Sequence, residues 1–161
     1  MNYHPFESEE RTGVTYKKID VTSALFKQND FIPRRYTCDG KNVNPSLNID
    51  HIPKKAASLA IIVDDPDAPL GTWLHWMMWN IPITHHLKEE EAPGIQGMND
   101  FGKHIYSGPC PPKGTHRYFF KVYALDCKLD IPVSSNKDDL EKAMNDHIIG
   151  FGELIGLFRR D

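Results

Sequence analysis

Ser58-Leu59-Ala60-Ile61-Ile62-Val63-Asp64-Asp65-Pro66-Asp67-Ala68-Pro69 is the stretch on which the fold turns. Its first half is an uninterrupted apolar run, as expected of a central strand covered on both faces. Its second half places three carboxylates within four positions and brackets them with prolines. Pro66 biases Asp65 towards extended backbone, and Pro69 does the same for Ala68. The segment is therefore stiff, and its carboxylates point in set directions. Capping of a loop explains one aspartate; three suggest a site at the end of a buried strand.

Working outward, Leu74–Ile81 is a second apolar run, and Tyr118–Leu125 is aromatic and branched with Lys121 as its one charge. Tyr16–Val21 is a shorter strand candidate. The connections are irregular, and twelve prolines and eleven glycines punctuate them. No β–α–β alternation appears, which argues against a doubly wound parallel sheet. One helix is marked. Ser134-Ser135-Asn136 offers N-caps, and Asp138, Asp139 and Glu141 put acid in the first turn. Leu140, Met144, His147, Ile148, Phe151, Leu154, Ile155 and Phe158 follow on one helical face. On this reading His147 is a satisfied core histidine, and Arg159-Arg160 is a cationic last turn. Gly150 and Gly152 would each cost about 1 kcal/mol against Ala inside that helix, or let it approach the sheet closely.

With 161 residues, one domain is expected. Residues 1–15 are polar and aperiodic and read as a flexible leader to a domain over 16–161. A net charge of −3 excludes a broad basic surface, so no nucleic-acid partner is expected. No apolar run reaches the roughly 20 residues that span a bilayer, and the first residues lack a secretory pattern. The expectation is a cytoplasmic protein without integral membrane association. Three cysteines without CxxC spacing argue against a disulfide scaffold or a structural zinc site. Buried free thiols are the default, although Cys38 and Cys110 both lie in motif-bearing loops and a redox pair stays open.

Three segments carry the chemistry. The first is the aspartate loop. The second is His75, inside an apolar strand and separated from Pro69 by only five residues, Leu70 to Leu74, which makes the two segments neighbours through a tight hairpin. A carboxylate beside that imidazole would favour its protonated form near neutrality. The third is Ser107-Gly108-Pro109-Cys110-Pro111-Pro112-Lys113-Gly114-Thr115-His116-Arg117-Tyr118. Its prolines have no backbone N–H. Donors to an anion must come from Gly108, Cys110, Lys113, His116 or Tyr118, with Gly108 permitting close approach of the backbone. Rigid loops of this kind hold a pocket at small entropic cost on binding.

Cys38-Asp39-Gly40, Asp65-Pro66-Asp67-Ala68-Pro69, His75-Trp76 and Gly108-Pro109-Cys110-Pro111-Pro112 with His116-Arg117-Tyr118 together resemble the phosphatidylethanolamine-binding protein family. The short aspartate-to-histidine spacing and the cysteine in the proline loop are similar to its bacterial and archaeal, Raf-kinase-inhibitor-like branch. The resemblance runs from about residue 19 to 158. It implies a mainly β fold with peripheral helices, an antiparallel β-sandwich. It also implies binding of phosphate or phosphorylated head groups at the sheet end. Asp65, Asp67, His75, Gly108, His116 and Tyr118 match the family's ligand positions, and Cys110 lies beside them. Asn44-Pro45-Ser46 stands where the family commonly has Ser-Pro-Pro, and the loop before His116 is short. Both departures concern pocket shape.

The expected function is thus a non-enzymatic binding module for a small anion, without cofactor or metal. Family likeness adds two weaker expectations, a protein partner of protease- or kinase-inhibitor type and a homodimer. The alternative is a hydrolase using Ser107 or Cys110 with His116; no Gly-x-Ser-x-Gly elbow supports it. His75, His116, Asp65 and Asp67 suit zinc by residue type but match no compact metal spacing.

Overall fold

The computed structural model describes residues 16–160; the expected leader over 1–15 lies outside them. The strands, in chain order, are β1 (Lys17–Lys18), β2 (Asp20–Thr22), β3 (Asp30–Phe31), β4 (Leu47–Asp50) and β5 (Ser58–Asp65). They continue as β6 (Trp73–Ile81), β7 (His86–Leu87), β8 (Ile95–Gln96), β9 (Gly114–Leu125) and β10 (Ile148–Arg160). Helix α1 (Lys137–Met144) lies between the last two. A seven-stranded sheet runs β1-β10-β9-β5-β6-β8, with β3 also paired to β10, and a three-stranded sheet runs β2-β4-β7.

Every residue of β5 is buried, as its apolar run predicts. Leu59, Ile61 and Val63 face the smaller sheet, where they join Val21, Leu47, Ile49 and Leu87 in one core. Ala60 and Ile62 face the other way, in a second core with Leu140 and Met144 of α1. Two packed layers on one sheet are how this chain hides two apolar faces, each fully buried large aliphatic contributing about 1.5–3 kcal/mol.

Three expectations need correction. The helix is short. Asn136 caps it, its side chain accepting from the Asp139 amide at 2.8 Å while the Asp139 carboxylate accepts from the Asn136 amide at 3.0 Å. It ends at Met144, and the residues expected to extend it form β10, antiparallel to β9 from Ile148 to Arg160. Glycines at alternate positions explain this. An added Cβ at Gly152 would lie 1.9 Å from the Ile19 carbonyl oxygen, and one at Gly156 would lie 2.5 Å from Ile32. Only a strand with bare backbone on that face admits the crossing segments. His147 is consequently not in the core but half-exposed immediately before β10, bonded to Asp126 at 2.8 Å. Arg159 and Arg160 sit in a strand, not a last helical turn.

The candidate strand Tyr16–Val21 is split. Lys17–Lys18 pairs with β10 in the large sheet and Asp20–Thr22 with β4 in the small one. Ile19, 1% exposed, is the joint between the layers. Finally, Cys38 and Cys110 are not free thiols. They form a disulfide across 72 residues, with Cα atoms 5.4 Å apart; Cys127 is the free cysteine.

Candidate functional site

β5 and β6 form the expected hairpin, with Asp65 opposite Trp73. The register slips between Val63–Trp76 and Asp64–Leu74, leaving His75 as the extra residue of a β-bulge. Bulges re-aim side chains, and here the imidazole turns towards the sheet end. On β9 the even positions Tyr118, Phe120, Val122 and Ala124 belong to the sandwich core. His116 extends that face past the core, next to Tyr118 at the core's edge. The result is a cavity of about 220 Å³ lined by Asp65, Ala68, Pro69, Trp73, His75, Phe101, Cys110, Pro111, Pro112, His116 and Tyr118.

The two histidines converge. The His75 and Tyr118 rings lie edge to face at 5.2 Å, and the His116 ring stacks over Tyr118 at 6.5 Å. His75 Nδ1 donates to the Ser107 carbonyl at 2.6 Å. A carbonyl only accepts, so the proton sits on Nδ1 and Nε2 is the nitrogen left for a ligand. Burial pushes the His75 pKa down, opposed by the Ser107 carbonyl and by Asp65. The expected protonated His75 is thereby corrected: its direct partner is a carbonyl, and the neutral ring is favoured.

The carboxylate belongs to the other histidine. Asp65 Oδ2 accepts from His116 Nδ1 at 2.6 Å, and its Oδ1 accepts from the Asp67 amide at 2.7 Å. Both oxygens are engaged, so Asp65 orients His116 and does not present a free carboxylate to the cavity. The Tyr118 hydroxyl is buried and has no hydrogen-bond partner among the described residues. Burial raises its pKa most, and Asp65 and Asp67 add to the rise. The Cys110 amide slightly favours the ionised form without making a hydrogen bond of ordinary geometry.

Not every expected residue is here. Asp67 turns outward, its carboxylate held by Arg117 Nε and Nη2, both at 2.9 Å, and by the Arg117 amide at 3.0 Å. The guanidinium keeps the Asp67 pKa below the usual carboxylate range. Asp64 faces the helix layer, buried between Lys121 and Lys137 at 3.0 Å each. Gly108 supports the site from behind. Its N–H donates to Asn42 Oδ1 at 2.7 Å, so it is no donor to an anion. A Cβ there would fall 2.2 Å from the Tyr36 carbonyl oxygen. Cys110 does line the cavity, as half of the disulfide.

The hydrolase reading loses its nucleophiles in this geometry. The Cys110 sulfur is bonded to Cys38. Ser107 is buried, its Oγ accepting from Asn99 Nδ2 at 3.0 Å. His75, His116, Asp65 and Asp67 do not bring three ligand atoms together; among the described residues that is done by Asp126, Cys127 and His147.

Sequence reading missed three contributors. Asn99 donates to the His75 and Ile105 carbonyls at 3.1 and 2.8 Å, while its Oδ1 accepts from the Phe101 and Lys103 amides at 2.9 and 3.1 Å. Asn-Asp-Phe-Gly at 99–102 is a side-chain-capped turn by composition, and that was the available signal. Trp73 and Phe101 meet edge to face at 5.5 Å at the cavity mouth, with exposures of 36% and 42%. Two larger grooves, about 900 and 970 Å³, are open and lie along Lys18. Neither contains a residue of the three motif segments.

The family model described as phosphatidylethanolamine-binding protein matches residues 22–159. The chain belongs to that family, in its bacterial and archaeal type. It is 52% identical over 149 residues to a UPF0098 protein of Pyrococcus abyssi, covering 86% of this chain and 84% of the relative. A UPF0098 protein of Methanothermobacter thermautotrophicus is 48% identical over 150 residues, covering 88% and 99%. Among solved structures, a phosphatidylethanolamine-binding protein homologue from Chlamydia trachomatis superposes with TM-score 0.86 at 37% identity, covering 90% of this chain and 99% of that one. YbcL of E. coli, described as a member of the mammalian family, gives 0.80 at 32% identity, covering 89% and 99%.

Proposed function

We propose that the cavity binds a protonated phosphate or a small phosphate monoester, the head-group-like anion that the family resemblance implies. The observation that carries this is the convergence of the His75 and His116 rings on Tyr118, whose buried hydroxyl has no partner among the described residues, at one small hollow with largely apolar walls. Leaving such a group unsatisfied costs about 1–3 kcal/mol. A ligand oxygen that accepts from it recovers that cost. Neutral His75 then supplies Nε2 as acceptor for a phosphate hydroxyl, and His116, oriented by Asp65, presents its Nε2 from the other side. This set suits an anion that both donates and accepts.

Size and charge refine the ligand. A volume of about 220 Å³ corresponds to roughly seven waters at about 30 Å³ each. That admits a head group and no acyl chain. No lysine or arginine lines the cavity among the described residues. Binding therefore rests on a few hydrogen bonds, and a Kd of roughly millimolar order is expected.

The test is an NMR titration with inorganic phosphate and with phosphoethanolamine, following the imidazole signals of wild type and Tyr118→Phe. The His75 and His116 rings should shift, and the variant should lose about 2- to 10-fold in affinity, as for one neutral hydrogen bond. Its thermal midpoint should not fall, because an unsatisfied hydroxyl has been removed. Rings that stay put while remote residues respond would dismiss the reading. So would a variant that binds like wild type. A response to one ligand alone separates free phosphate from a substituted head group.

A further inference from the structure

Where β9 ends and β10 begins, three different metal-ligating side chains meet away from the cavity. One ligand atom each of Asp126, Cys127 and His147 lies within 4.8 Å of the other two. Asp126 Oδ1 and His147 Nδ1 are 2.8 Å apart, and both side chains are 45% exposed. The backbone beneath them is held. The Asp126 amide donates to the His147 carbonyl at 3.0 Å, and the Cys127 carbonyl accepts from Ser58 Oγ at 2.7 Å. The ligand-bearing residues therefore sit at paired strand ends, although the third lies 20 positions after the second in sequence.

We infer that Asp126, Cys127 and His147 form a surface site for a thiophilic divalent cation of the zinc or cobalt class. A carboxylate, an imidazole and a thiolate are three of the usual protein ligands of zinc, and three of them leave a fourth position for solvent. Tetrahedral bonds of about 2.0–2.3 Å set ligand atoms about 3.4 Å apart, within reach of side-chain rotation from the observed cluster. As the metal–sulfur bond forms, the Cys127 S–H proton leaves to solvent, so the thiol gives way to a thiolate.

The surroundings sharpen the choice of ion. The adjoining groove brings Lys17, Lys18, Lys54 and Lys55 to the side of Asp126. A hard cation held by one carboxylate has little to offset that positive field. A metal that bonds sulfur and imidazole does, so zinc and cobalt are selected over magnesium and calcium.

Cobalt(II) titration of the purified full chain, without reductant, tests the site. With Cys38 and Cys110 joined, Cys127 is the one thiol able to give a thiolate-to-cobalt charge-transfer band. A band saturating at one cobalt per chain is expected, displaced by zinc and unaffected by magnesium. Cys127→Ser should abolish it, and His147→Ala should weaken cobalt binding by about 10-fold or more. Melting curves establish that both variants are folded. No band at saturating cobalt overturns the inference. A band untouched by both His147→Ala and Asp126→Asn also overturns it, by reducing the event to a lone thiol. Zinc binding that survives Cys127→Ser and is lost in His116→Ala would move the metal to the cavity and equally refute the site.

Discussion

His75 occupies its place because of a one-residue slip in the β5–β6 ladder. Its ring is anchored by the Ser107 carbonyl, and Asn99 ties down its backbone. Burial holds its pKa below the ordinary value, and this has a consequence for stability. Above about pH 6.5 the ring is neutral in both folded and unfolded chains, and it contributes no pH dependence. Below that value the unfolded chain takes up a proton that the folded one resists. The native state therefore loses stability as pH falls from about 6.5 towards the lower folded pKa. Urea unfolding across this range should show the decline in wild type. His75→Asn, whose amide can still donate to Ser107, should flatten it. An unchanged slope would mean that other groups carry the acid sensitivity.

At the scale of elements, β10 shows how one pattern serves two structures. Its apolar residues suit a helical face as well as an alternating strand, and the helix immediately before it is real and well capped. The glycines decide. In a helix they cost propensity; in the strand they admit the Ile19 carbonyl against Gly152 and Ile32 against Gly156. Gly152→Ala should destabilise the fold by about 1–3 kcal/mol or more through overpacking, against about 1 kcal/mol for loss of the helix cap in Asn136→Ala. Denaturant midpoints of the two variants compare them directly. The reverse order would show that the chain at Ile19 crosses β10 with room to spare.

For the whole molecule, the Cys38–Cys110 bond ties the 34–40 segment to the proline loop that walls the cavity. The Cys38 amide adds a bond to the Pro109 carbonyl at 3.1 Å, and Arg160 donates to the Cys110 sulfur at 3.4 Å. Closing a loop of 72 residues stabilises by about 4 kcal/mol on the chain-entropy account. Reduction, or Cys38→Ser with Cys110→Ser, should lower the melting temperature and also weaken the proposed phosphate binding, because one wall of the cavity loses its tether. A lower melting temperature with unchanged affinity would assign the bond to stability alone. Such bonds persist in oxidising compartments and in the cytosol of hyperthermophiles. No helix among the described residues is long and apolar enough to cross a membrane.

Legibility followed the range of the physics. Local order determined β5, β6, the β5–β6 hairpin, a helix cap within 134–136 and the stiffness of the aspartate and proline loops, because each depends on residues a few positions apart. The motif blocks likewise pointed to Asp65, His75, Cys110, His116 and Tyr118 as neighbours. Only the tertiary structure decided which aspartate faces the cavity, since alternation along β5 sends Asp64 to the helix layer and an arginine on β9 turns Asp67 outward. It also decided that the last segment is a strand and that Asp126, Cys127 and His147 meet. Those outcomes depend on which backbone lies across the sheet, and nothing in the local pattern of side chains encodes that.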